Sequence, residues 1–177
     1  MDSKNSKLNV KLCNNDKEWD IFLYESANKN FLSFSKIINS SISKCKKYFI
    51  YKEQEIVASF HIYEKNNKII SGEQIYTPIN YKLNNKPNKP SEYYKKFLIF
   101  EKYIDFITKN FLIGEITLDY LTEDLRALMW FNFTASKDLF KISEIKYTSV
   151  INLNNLDKNF TYENLESSQF YSFLSRS

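Results

Sequence analysis

Arg126 and Trp130 stand four residues apart in the run Asp124-Leu-Arg-Ala-Leu-Met-Trp-Phe-Asn-Phe133. Four residues is about one helical turn, so on a helix the guanidinium can lie along the indole. A cation–π contact of this kind steadies the side chain and leaves planar N–H donors for a carboxylate or phosphate. The chemistry implied is recognition of an anion. Arg126 and Arg176 are the only arginines among 25 basic residues, so a lysine-rich chain places a guanidinium here. Lysine does not reproduce that fork. Asp124, two residues before Arg126, does not share its helix face, and the pair is not expected to be a local ion pair. A second reading stays open: Arg126 ties its helix to a carboxylate elsewhere in the domain, and Trp130 fills core.

No residue qualifies as catalytic by spacing. His61 is the only histidine and lies in a strand-like run, alternating with Ser59 and Tyr63, which predicts a partly exposed or hydrogen-bonded side chain. Ser-His-Asp and Cys-His groups meet only in space, so spacing assigns neither. Asp119 as a general base is no better supported than Asp119 as a structural residue. Tyr76, Tyr81 and Tyr147 offer hydroxyls that can line a cleft and bond a sugar or peptide, although packing serves as well in a chain of 13 tyrosines. Cys13 and Cys45 have no partners at metal-ligand spacing, so they read as reduced thiols and no metal site is expected. Gly72 and Gly114 are isolated, so no glycine-rich phosphate loop is present.

The elements that must position these residues follow from periodicity. Asp16 to Tyr24 reads as a short amphipathic helix with acids in its first turn. Phe31, Phe34, Ile37 and Ile38 predict a second helix ending near the serines at 40 to 43, so two helices precede the sheet. Lys47 to Tyr51 and Glu55 to Tyr63 predict a hairpin, and Lys68 to Ile75 a third antiparallel strand. Tyr76 to Pro90 reads as loop, either the rim of a binding cleft or a disordered excursion. Ser91 is expected to cap a long helix whose Tyr93, Phe97, Phe100, Ile104 and Ile107 form a core stripe. Then come a strand over 115 to 120, a helix over 124 to 133, a strand over 145 to 153 and a last helix over 162 to 174. Three antiparallel strands followed by alternating helices and strands predict an α/β (α+β) fold: a mixed, mostly antiparallel sheet flanked by helices, in a single domain.

Composition bounds the rest. The 177 residues, 43% apolar, suffice for one well-buried domain. The net charge of +4 is scattered over many lysines, which predicts no specific nucleic-acid site. No signal-like core follows the polar N-terminus and no apolar run reaches membrane-helix length, so a cytoplasmic protein without a membrane span is expected.

The 124 to 133 helix and Tyr147-Thr-Ser-Val-Ile-Asn-Leu153 resemble the Asp-x-Arg-x-x-x-Trp-Phe-x-[FY] helix and Tyr-Thr-x-x-[IV]-[DN]-Leu strand of FemAB-like acyltransferases. Those enzymes are built from two tandem GNAT-type halves, and both segments lie near the end of the first. The resemblance covers Trp19 to about Arg176. It implies a GNAT-like sheet and acyl or aminoacyl transfer to an amine of a cell-envelope or glycan precursor. The first half binds the acceptor, a sugar nucleotide or peptidoglycan precursor, and a second half holds the donor, acyl-CoA or aminoacyl-tRNA. Residues 1–15 are then a flexible N-terminus, 16–160 the half domain, and 161–177 the start of a connecting helix, with no cofactor held by this chain alone. The acyl-CoA phosphate site of a GNAT domain would fall at the start of the 124 helix, where there is no glycine and Glu123 and Asp124 would repel phosphate. The implied substrate-binding residues are Tyr76, Tyr81, Asp124, Arg126, Trp130 and Tyr147, with the half domain inactive alone. The alternative is a non-enzymatic GNAT-like module that binds a partner or itself through Phe170, Tyr171, Phe173 and Leu174.

Overall fold

The computed structural model describes residues 8–28, 30–70, 79–82, 89–118, 122, 124–135 and 140–141. Tyr76, Asp119, Glu123, Tyr147 and the elements expected over 145 to 153 and 162 to 174 lie outside these.

Helix α1 (Asp16–Tyr24) forms where its pattern predicts. Asn15 caps it, its Oδ1 accepting from the backbone N–H groups of Lys17 (3.0 Å) and Glu18 (3.2 Å). Trp19, Phe22 and Leu23, at i, i+3 and i+4, turn one buried face to the sheet. The single helix expected next is instead a 3₁₀ turn over Phe31–Ser33 and a short α2 (Ser35–Asn39), with Phe34 extended between them. Tertiary hydrogen bonds set that break. The Asp20 carboxylate on α1 accepts from the Ser35 N–H at 2.8 Å and its hydroxyl at 2.6 Å, so a distant acid caps α2.

A strand, β1 (Leu8–Cys13), precedes α1, pairing antiparallel with β2 (Lys44–Lys52) from Leu8 opposite Lys52 to Cys13 opposite Lys47. Residues 8–13 are therefore not part of a flexible N-terminus. β2 and β3 (Glu55–Lys65) form the expected hairpin. Its register shifts between Ile50 and Tyr51, and the extra residue Val57 on β3 is a β-bulge. Asn66 and Asn67, both at positive φ, turn β3 into β4 (Lys68–Ile70).

Within the segment expected to be loop, Asn80–Tyr81 forms β5, pairing with Ala58 and Ser59 of β3. The long helix α3 spans Lys89–Asn110, so Ser91 lies inside its first turn and is not its cap. The next strand, β6 (Leu112–Ile113), comes earlier than the 115 to 120 pattern suggests and pairs parallel with β4. Gly114 follows because a Cβ there would stand 2.5 Å from the Ile69 carbonyl oxygen. The sheet order is β1-β2-β3-β4-β6, with β5 also on β3. It is mixed and mostly antiparallel, with one parallel pair.

Helices cover both faces. Tyr48, Ile50, Ala58, Phe60 and Ile62 meet Ile99, Phe100, Tyr103, Ile104 and Ile107 of α3. Cys13 and Phe49 meet Trp19, Phe22, Leu23 and Ile38 on the other side. Phe60 joins the first layer to the helix, stacked on Tyr48 at 5.2 Å and edge-on to Tyr103 at 4.9 Å. The α3 stripe is core only along part of its length: Phe97 is partly buried and Tyr93 is half exposed. Among the described residues, no helix is long and apolar enough to cross a membrane.

Candidate substrate-binding cleft

Helix α4 is one turn long, Arg126–Met129, so Asp124 lies before it rather than on it. That placement removes the reason for expecting the two charges to miss each other. Asp124 Oδ1 accepts from the Arg126 backbone N–H (3.0 Å) and from Nε (2.9 Å), while Oδ2 accepts from Nη2 at 2.6 Å. The motif is a local ion pair closed by an Asx-type turn. The hydrogen bond from Arg126 holds the Asp124 carboxyl below the usual carboxylate range. The same bond raises the guanidinium.

The expected contact between Arg126 and Trp130 is present, with the guanidinium carbon 5.6 Å from the ring centroid. Phe97 of α3 adds a second ring at 5.1 Å, and the two rings meet edge to face at 6.1 Å. Trp130 is 59% exposed, so it does not fill core. Among the described residues, the carboxylate that holds Arg126 is that of its near neighbour Asp124.

Beside this cluster is a shallow surface cleft of about 30 Å³, lined by Tyr81, Tyr93, Lys96, Phe97, Phe100, Thr122 and Asp124. β5 supplies one wall and α3 another. Lys96 Nζ lies 5.5 Å over the Tyr81 ring. Burial, with the negative charge of Asp124, raises the Tyr81 phenol, so it stays protonated and able to donate. Phe97 and Phe100 give the cleft an apolar aromatic surface, while Lys96, Asp124 and the hydroxyls supply polar contacts. That mixture suits a polar group laid against an aromatic surface, not a ligand enclosed by the protein.

Tyr81 and Asp124 therefore line the cleft, Arg126 is bonded to Asp124, and Trp130 packs on Arg126. Tyr76 and Tyr147 lie outside the described residues. Sequence reasoning missed Tyr93, Lys96 and Thr122. The available signal was the end of the α3 stripe, where Tyr93, Lys96 and Phe97 share a face at i, i+3 and i+4 but alternate with no further large apolar residue.

Tyr81 owes its position to the segment after α1. The Asn28 side chain donates to the Ile79 carbonyl (2.9 Å) and accepts from the Tyr81 N–H (3.2 Å), and the Ala27 N–H donates to the Tyr81 carbonyl at 2.8 Å. Asn28 thus acts as an additional strand partner for β5. Asn80, pointing the other way, is fully buried and donates to the Ser33 hydroxyl at 3.3 Å.

His61 lies on the α1 side of the sheet and is 1% exposed, edge-on to Trp19 and to Tyr63. The expectation of partial exposure fails because alternation implies a wet face only where nothing covers the sheet. Ser33, Ser59 and Asn80 are buried with it on that side. The thiols are free and unsuited to nucleophilic attack: burial pushes Cys45 up to about 12 and also raises Cys13.

No protein-family model matches the chain, and no curated protein matches it. Among solved structures it is similar to a possible acetyltransferase from Clostridium difficile 630, at 13% identity over 82% of this chain and 99% of that one, with a TM-score of 0.39. It is also similar to an aminoglycoside acetyltransferase from an uncultured soil metagenomic sample, at 16% identity over 80% of this chain and 99% of that one, with a TM-score of 0.34. Likeness of this degree leaves the fold to rest on the strand order and helix layers themselves.

Proposed function

We propose that the chain is the acceptor-binding, N-terminal half of a FemAB-like N-acyltransferase acting on an amine of a cell-envelope or glycan precursor in the cytoplasm. The observation that carries the acceptor-binding part is the cleft between β5 and α3, where a tied carboxylate and a lysine face an aromatic surface. The transfer class is supported by the resemblance in the 124 to 133 and 147 to 153 segments. In such a reaction the amine nitrogen attacks the acyl carbonyl carbon and an N–C bond forms. The bond to the donor's sulfur or ester oxygen breaks, and the nitrogen loses a proton. The donor, acyl-CoA or aminoacyl-tRNA, is held by a second half, and this half alone completes no turnover.

Calorimetry with an amino-sugar nucleotide, a peptidoglycan precursor and acetyl-CoA tests the reading. Saturable binding of an acceptor and none of acetyl-CoA is expected. Tight binding of acetyl-CoA, with neither acceptor bound, would sink it.

A second reading, a non-enzymatic module, is favoured by the exposed Met129 (65%), Trp130 (59%) and Phe133 (69%) beside the cleft. It predicts self-association or a protein partner at this segment. A chain that stays monomeric by light scattering across concentration, with unchanged Trp130 quenching, would count against self-association.

A further inference from the structure

Resting on the acceptor-binding reading, we infer that Asp124 is the group that meets the acceptor, that it receives the acceptor's amine, and that Arg126 is a positioning residue behind it. Asp124 lines the cleft and Arg126 does not. The guanidinium edge made of Nε and Nη2, which would form a fork to an external anion, is already spent on Asp124. An anion approaching that edge meets the carboxylate first and is repelled.

The carboxylate still presents an edge to the cleft. Two carboxylate oxygens offer about four acceptor positions. Arg126 supplies three donors that make four contacts, its backbone N–H, Nε shared between both oxygens, and Nη2. The Asp124 side chain remains 24% exposed. A cationic N–H donor is attracted to this exposed edge, where it shares an oxygen with Arg126, and an anion is repelled. The charge contrast across the cleft orients the ligand: an amine toward Asp124, and a hydroxyl or anionic substituent toward Lys96, with the ring between them over Tyr81 and Phe97. Phe97, which also lines the cleft, and Trp130 pack on the guanidinium, so the carboxylate keeps one orientation. Arg126 also keeps it ionised to lower pH.

Three probes that differ at one substituent decide the matter: glucosamine-1-phosphate, its N-acetyl form and glucose-1-phosphate, titrated into the whole chain by NMR. The amine probe is expected to bind about fivefold more tightly than the others, the range of a partly exposed charge contact. In Asp124→Asn the preference should fall within twofold, and in Asp124→Glu it should partly survive, with circular dichroism confirming the fold of each. In Arg126→Gln the carboxylate titrates higher, so the preference should disappear at a higher pH than in the wild type. A purely structural Arg126 would leave that pH profile in place. Equal binding of the three probes, weakened alike by Lys96→Met, overturns the assignment of the amine to Asp124 and leaves the acceptor cleft standing. No binding of any probe at millimolar concentration overturns both.

Discussion

Asp124 grips Arg126 by backbone and side chain together, its Oδ1 reaching the Arg126 N–H at 3.0 Å and Nε at 2.9 Å while Oδ2 takes Nη2 at 2.6 Å. A side chain held at both ends by one neighbour anchors α4 to α3 through Phe97. Lysine preserves the charge at position 126 but not the fork. Arg126→Lys should therefore free α4, and acrylamide quenching of Trp130 should rise. Trp19, buried and hydrogen-bonded to the Ser33 carbonyl at 2.7 Å, should be unaffected. Removing Trp19 by Trp19→Phe separates the two signals.

Asn28 pairs with β5 as a strand would. Asn28→Ala removes one donor and one acceptor from the part-buried backbone of Ile79 and Tyr81, at a cost of about 1–3 kcal/mol. Urea denaturation should show the loss. Amide exchange at Tyr81 should accelerate more than exchange at Phe60 in β3, because the clamp acts locally.

Asp16 and Lys47 tie the start of α1 to β2, with Asn39 donating to the same carboxylate at 2.7 Å. The Lys47 hydrogen bond lowers the Asp16 pKa in the folded state. A lowered folded-state value means the stabilisation is complete above the unfolded carboxyl range, near about 3.9, and is lost as pH falls through the folded value. Asp16→Asn should cost about 1 kcal/mol at neutral pH, because Lys47 is buried but solvent screens the half-exposed Asp16. As pH falls below about 4 the gap between variant and wild type in thermal melts should begin to narrow, and it should close only below the lowered folded-state value of Asp16.

Cys45 should resist alkylation. With its thiol pushed up to about 12 by burial, almost no thiolate exists at pH 8. Iodoacetamide labelling of the native chain followed by mass spectrometry should leave Cys45 largely unmodified, and labelling in urea should be complete. Rapid native labelling would mean that β2 opens readily.

The local elements were legible because their signals are local. Asp16 to Tyr24 carries its acids and its apolar face within nine residues, its cap is the adjoining Asn15, and it folds over those residues. The β2–β3 hairpin and the Asn66-Asn67 turn are likewise determined by neighbours in the chain. The break at Phe34 was not legible, because Asp20 on another helix supplies the cap. β5 was hidden in a run of asparagine and proline, because its pairing comes from β3 and from Asn28.

The same division runs through the cleft. Sequence alone determined that Arg126 and Trp130 fall one turn apart, that the chain forms a mixed, mostly antiparallel sheet with helices, and that no glycine-rich phosphate loop exists. Tertiary structure decided which partner takes the guanidinium, which face of the sheet buries His61, and that Tyr93 and Lys96 of α3 meet Tyr81 of β5. Periodicity reports which side chains share a face, since that depends only on backbone rise and rotation. What that face meets depends on chain segments tens of residues away, and no spacing rule records them.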